Sequence, residues 1–174
     1  PESGQWGTIR FGAYSDDTSV LRNCIIRYAG SRSDYPGAVH LWLSNPTIDS
    51  CQFVDNAQYG LYAGGNTVGS GVKENTFESE DAWPVNLHPG AAVDTIALRN
   101  TFIPRADANA IVIHEGTISN DVSWPALPPG FCYYVAGHTS IWSSLNPLLT
   151  IDSGSVVKFS NDVFLRVGFD NGST

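Results

Sequence analysis

Three of the four histidines in this 174-residue chain, His40, His88 and His114, follow short apolar runs together with aromatic or polar residues. His40 and Trp42 stand in GAVHLWL, Tyr62 in YGLYA, Asn86 and His88 in PVNLH, His114 in AIVIH, and Arg10 upstream in GTIRF. Two chemistries use such residues. Aromatic faces stack on sugar rings, and imidazoles ligate metals. His88 and His114 on neighbouring elements would share a metal only with a third ligand, and the spacing supplies none. Hydrolysis of a glycosidic bond asks for paired carboxylates, and only Asp107 and Glu115 flank the histidines. A sugar-binding face is therefore the functional reading. The plainer alternative is that the outward positions of a sheet hold polar, aromatic and β-branched residues that pair well with one another.

Whether these residues meet depends on the elements that carry them. The segments GTIRF, GAVHL, YGLYA, WPVNL and NAIVI start at 7, 37, 59, 83 and 109, at intervals of 30, 22, 24 and 26. A second block keeps step: LRNCII, IDSCQF, KENTFE and LRNTFI place Cys24, Cys51, Asn75 and Asn100 in one column. Two positions on, Ile26, Phe53, Phe77 and Phe102 form another. Columns that recur every 22 to 30 residues, with alternating β-branched runs and no helical spacing, predict an all-β solenoid. Each turn is expected to hold two short strands and no helix, parallel to those of the turn before and about 4.8 Å away. Strand alternation puts Ile9, Val39, Leu61, Val85 and Ile111 inward, followed by Phe11, Leu41, Ala63, Leu87 and Ile113. Arg10, His40, Tyr62, Asn86 and Val112 are then expected to face solvent, with Trp42, His88 and His114 in the next outward column. The Asn column is expected to bond the backbone of its own bend and of its neighbour.

Composition narrows the partners. Seventeen acidic against nine basic residues give a net charge of −8, which disfavours nucleic acid, because phosphate binding relies on clustered Lys and Arg. No apolar run approaches the roughly 18 to 20 residues needed to cross a bilayer. The absence of Met leads to the expectation of a processed or excised piece.

The stretches GQWGTIRF, SVLRNCIIRYAG, NPTIDSCQF, YGLYA and ENTF resemble the right-handed parallel β-helix repeats of large bacterial and archaeal extracellular proteins in the pectate-lyase-like superfamily. Residues 110–167 resemble the segment that closes one coil block and starts the next. The resemblance covers nearly the whole chain and is specific for fold. It implies an extracellular or cell-surface setting, and it leaves the chemistry open, since this scaffold carries lyases, epimerases, adhesive modules and stalks. Lyases of this fold set calcium-binding carboxylates beside an Arg or Lys. Here Arg10 lies four turns from Asp107 and Glu115, roughly 20 Å at the strand spacing. Catalysis is therefore disfavoured and no catalytic residue or resident cofactor is assigned.

The remaining features are read as structural. A Cys24–Cys51 disulfide requires more than stacking of the column, and Cys132 has no evident mate. The acidic runs SDD at 15–17 and ESED at 78–81 fall in bends and read as solvated turns, with calcium capture as the alternative. One domain over 1–174 is expected, with a Pro-rich seam at 120–132 that no strand crosses. Neither end shows a helical or charged cap, so partners are expected to be a second copy packed end to end, flanking modules of a longer chain, or a polysaccharide. The expected function is a non-catalytic stalk, adhesin or self-assembling subunit, with polysaccharide binding or lyase-like action through Arg10, His40, Trp42, Tyr62, Asn86, His88 and His114 as the alternative.

Overall fold

The structure, a computed structural model, describes residues 2–65, 67–78, 83–105 and 109–168. The first turn holds β1 (Ile9–Phe11), β2 (Val20–Arg22) and β3 (Ile25–Arg27), and the second β4 (Val39–Trp42), β5 (Thr47–Asp49) and β6 (Gln52–Val54). The third holds β7 (Tyr59–Gly64), β8 (Val72–Lys73) and β9 (Thr76–Glu78), and the fourth β10 (Trp83–Leu87), α1 (Val93–Arg99) and β11 (Thr101–Phe102). Then come β12 (Ala110–Ile113), β13 (Gly116–Ile118), β14 (Val122–Trp124), β15 (Cys132–Val135), β16 (Thr139–Ile141), β17 (Leu149–Ile151), β18 (Val157–Phe159) and β19 (Leu165–Val167). Every strand pairing among these residues is parallel and joins successive turns. The chain is an all-β parallel solenoid of about six turns. One seven-stranded sheet runs along it in the order β1-β4-β7-β10-β12-β15-β18, with shorter sheets closing the cross-section.

The repeat columns are the sheet register. Ile9 pairs with Val39, Val39 with Leu61, Leu61 with Val85 and Val85 with Ile111, and the column continues to Tyr133 and Val157. Its middle members Val39, Leu61, Val85 and Ile111 are fully buried, as are Leu41, Ala63, Leu87 and Ile113 beside them. On another wall, Phe53 and Phe77 stack at 4.6 Å between ring centroids, and Phe77 and Phe102 at 5.4 Å. No single turn could bury these rings; each is covered by its neighbours above and below.

Each early turn has three strands, not the expected two. Asn23, Ser50 and Glu74 adopt φ of 54°, 55° and 59°, which turns a sharp corner inside what the sequence presents as one continuous block. The corners are also hydrogen-bonded between turns, with Asn23 N–H donating to Asp49 O and Ser50 N–H to Lys73 O. The fourth turn departs further, because α1 stands where a β2-type strand is expected. Its Val93, Ile96 and Ala97 are buried, so its apolar face fills the same core space.

The asparagine column forms the expected ladder. Asn75 Oδ1 accepts from Cys51 N–H at 2.9 Å, while its Nδ2 donates to Ile48 O and to Asn100 Oδ1. Asn100 Nδ2 in turn donates to Val72 O and to Ile96 O in the last turn of α1. Asn56 repeats the device one corner on, accepting from Ala29 N–H and donating to Ile26 O. Cys24 and Cys51 occupy the same column as free thiols, and Cys132 is free as well. Cys51 Sγ donates to the Leu21 and Asp49 carbonyls.

The Pro-rich segment interrupts less than expected. Val122–Trp124 form β14, inside the anticipated seam, and pair with β17; the long sheet passes directly from β12 to β15. Strand is missing around Pro125, Pro128 and Pro129, where ring-closed nitrogens cannot donate to a ladder. The segment closes on the core through buried Trp124 and Phe131, and Tyr133 Oη donates to Pro125 O at 2.8 Å.

Asn75→Ala should lower the unfolding free energy by roughly 2–4 kcal/mol, because buried donors and acceptors in two turns lose their partners at once. Urea denaturation would read this as a shifted midpoint, and an unchanged midpoint would contradict the ladder.

Candidate functional site

The long sheet carries the sequence-derived outward column in register: Arg10 beside His40, His40 beside Tyr62, Tyr62 beside Asn86 and Asn86 beside Val112. The expectation that this column faces solvent needs correction. His40 is 4% exposed, Asn86 5% and Val112 0%. The cause is a second layer of rings on the outside of the sheet. Tyr35 meets His40 edge-on at 5.6 Å, and His40 Nδ1 lies 3.3 Å from Pro36 O. Arg10 is held with its guanidinium 4.5 Å from the centre of the Tyr35 ring. The outward face is thus partly a covered aromatic layer, consistent with cross-strand ring pairing as a source of sheet stability.

Along that layer the rings stack across turns. His40 and Tyr62 lie 4.9 Å apart at 20°, and Tyr62 and His114 lie 5.2 Å apart at 8° although two turns separate their strands. Gly64 makes room for this approach: a Cβ there would stand 2.6 Å from Tyr62 Cε1 and 2.9 Å from Trp42 Cε3. The His114 ring reaches back until its Nε2 is 3.3 Å from Ala63 O, while its Nδ1 lies 2.8 Å from Glu115 O. His88, in the intervening turn, folds away. Its Nδ1 accepts from Gly90 N–H at 3.1 Å, and its ring lies against Gly116, where a Cβ would be 2.5 Å from Nε2.

These placements leave a groove of about 450 Å³ along the C-terminal ends of the strands, lined by Trp42, Tyr62, His88, His114 and Glu115 with the backbone of Gly65 and Gly137. Four of the seven candidate residues, Trp42, Tyr62, His88 and His114, therefore share one surface. His40 backs it from behind the Tyr62 ring. Arg10 lies a turn farther along, and Asn86 is buried beside the Tyr62 strand with its Oδ1 lacking a hydrogen-bond partner. Glu115 was legible as a flanking carboxylate but not as part of the lining. Asp107 lies outside the described residues.

A second groove of about 260 Å³ lies farther along the face and is lined by Trp83, Asn109, Cys132, Tyr134 and Lys158. Tyr134 and Lys158 belong to the outward column, since Val112 pairs with Tyr134 and Tyr134 with Lys158. Carrying the repeat past the proline segment would have found them. Tyr35 sits in a loop outside every column, and no sequence signal marks it.

Electrostatically the first groove is an uncharged lining with one carboxylate. Burial pushes His88 down to about 4, helped by the neighbouring His114. Burial also lowers His114, against the opposing pull of the Glu115 and Ala63 carbonyls and the Glu115 charge, and it lowers His40. Tyr62 is raised by burial, by Tyr59 and by Glu115. At neutral pH the imidazoles are therefore neutral. The bond accepted from Gly90 leaves His88 with its proton on Nε2, and the 2.8 Å contact to Glu115 O puts the His114 proton on Nδ1.

The described residues contain no group of three or more His, Cys, Asp and Glu placed to hold a metal ion. His88 and His114 meet edge to face at 5.6 Å between centroids. In the acidic bend at 15–17, Asp16 Oδ1 accepts from Thr18 N–H and Asp17 Oδ1 from Asn45 N–H. Ser79, Glu80 and Asp81 of the other bend lie outside the described residues. No helix among the described residues is long and apolar enough to cross a membrane. No family model matches the chain, and no curated protein or solved structure does so either.

The depressed His88 gives a pH dependence with a definite sign. Between about pH 6.5 and about 4 the unfolded chain binds a proton at this ring that the folded ring refuses, so stability falls as the pH falls through that window and levels off below it. His88→Asn keeps an acceptor for Gly90 N–H but cannot titrate. Urea midpoints measured across the window should fall less steeply for this variant than for the unaltered chain; equal slopes would contradict the assignment.

Proposed function

We propose that this chain is a non-catalytic, extracellular adhesive module of the right-handed pectate-lyase-like β-helix superfamily that holds an extended polysaccharide along the outer face of its long sheet. The observation that carries this reading is the convergence of Trp42, Tyr62, His88 and His114, drawn from four turns, on one axial groove. From the Trp42 turn to the Ala136 turn the lining crosses four strand spacings, roughly 19 Å, a length suited to several sugar units in a row. Trp42 is 40% exposed and offers an apolar ring, while imidazole and backbone groups supply polar contacts. Pockets of this kind combine aromatic surface with a few placed polar groups. The non-catalytic part rests on the lining having a single carboxylate, whereas hydrolysis uses two.

Glycan-array binding by the unaltered chain, Trp42→Ala and Tyr62→Ala tests the reading. Binding that drops at least about tenfold in the variants, a loss of about 1.4 kcal/mol, is expected; absence of binding by the unaltered chain would overturn it. Incubation with polysaccharides, with and without calcium, should release no product, and turnover would refute the non-catalytic part.

A stalk role is favoured by a separate observation. Among the described residues, β1, β2 and β3 at one end and β17, β18 and β19 at the other pair on one side only. Val20, Ile25, Phe159 and Val167 are exposed on these edges, and open strand edges invite strand addition. Continuing the long sheet in register with a second copy would set Lys158 beside Arg10, and like charges directly opposite are unfavourable. A neutral or acidic partner residue would suit Lys158 or Arg10 at that position better than another copy of this chain does. Sedimentation velocity should accordingly show one species over a wide concentration range, and concentration-dependent growth would show that copies do stack.

A further inference from the structure

The groove also carries an unbalanced charge. Glu115 is exposed at its lining, and the ion pairs among the described residues, Arg22–Asp49, Arg27–Asp55, Arg32–Asp34 and Arg99–Glu74, do not include it. No Lys or Arg lines the groove. Arg10 is committed to the face of Tyr35, as is Arg32, and Lys158 lines the other groove. The imidazoles supply no compensating charge at neutral pH. A uronate chain laid here would bring carboxylates against Glu115 with no cation to receive them, and the whole molecule, at −8, repels a polyanion on approach. A neutral glycan would leave Glu115 facing nothing of opposite sign. A protonated amine meets both features of the lining: the carboxylate as an ion-pair partner, and the exposed Trp42 ring as a neighbour that attracts cations.

We propose that the groove selects an amino-sugar polymer, with Glu115 receiving the ammonium group and Trp42 supporting the sugar ring. This inference rests on the glycan-binding reading above and narrows it to a cationic substrate class. It runs opposite to the acidic polymers that the calcium-dependent lyase alternative would require.

Binding of short oligomers of glucosamine, N-acetylglucosamine and galacturonate, measured by calorimetry at mildly acidic pH where the amines are protonated, tests it. The unaltered chain is compared with Glu115→Gln, Trp42→Ala and Glu78→Gln, the last making the same charge change at an exposed site away from the groove. The expected result is a preference for the glucosamine oligomer that weakens about twofold to fivefold in Glu115→Gln, the range for a single exposed ion pair, and stays unchanged in Glu78→Gln. Equal weakening by the two Glu variants would reduce the effect to bulk attraction and overturn the proposal. Equal binding of acetylated and free-amine oligomers, with Trp42→Ala still damaging, would overturn the amine inference while leaving the glycan reading intact, as would preference for galacturonate. Failure to bind any oligomer, or binding indifferent to Trp42→Ala, would remove both.

Discussion

Each turn of this chain leaves its strand amides and carbonyls unsatisfied until the next turn is laid beside it in register. That single requirement organises the molecule. Parallel pairing in one register means that residues two dozen positions apart become neighbours, so any side-chain type repeated at that period meets its own kind. Stacked phenylalanines fill one wall, asparagines bond to asparagines at a corner, and aliphatic residues tile the inner face of the long sheet. A slip by one residue would turn every inward side chain outward, so the buried columns and the backbone ladder enforce each other.

The corners show how local strain is accommodated by the same stacking. Asn23, Ser50 and Glu74 take left-handed backbone conformations, which cost a non-glycine residue roughly 1–2 kcal/mol each. The neighbouring turn supplies a carbonyl to the Asn23 and Ser50 amides, so the strained shape is repeated instead of relieved. Where the corner changes, the chain changes with it. In the fourth turn Asn100 is extended, with φ of −128°, and caps α1. The asparagine ladder ends on a helix carbonyl, and the helix still presents an apolar stripe to the interior.

Columns were the legible part of the fold, because in-register stacking writes itself into sequence as period. The inner aliphatic rows, the Phe row and the Asn row were all readable on that basis. Strand count per turn was not: a left-handed corner residue such as Ser50 or Glu74 carries no unmistakable signature, so two short strands read as one. Nor was α1, which runs into the LRNTFI block at Leu98 and Arg99 and so leads to the same Asn-Thr-Phe as a strand turn. At the candidate site, alternation placed Tyr62, His88 and His114 on one face but could not say which of them solvent reaches. The covering layer comes from Tyr35 and from rings leaning along the axis, and neither is a property of the repeat. Gly64 illustrates the limit. It falls in the same column as Trp42 and His88, and its lack of a side chain is what lets Tyr62 lie across the column.

Groove and stack are consequences of one geometry, and their electrostatics follow from it. Rings drawn together from successive turns exclude water from the imidazoles, which favours their neutral forms and leaves Glu115 as the groove's charge. The register of the turns brings those rings together, and aromatic proton NMR reads it through nuclear Overhauser contacts of Tyr62. In-register stacking predicts cross-peaks from the Tyr62 ring to both His40 and His114, partners 22 and 52 residues away with ring centroids 4.9 Å and 5.2 Å distant. A Tyr62 ring in contact with neither histidine would contradict it.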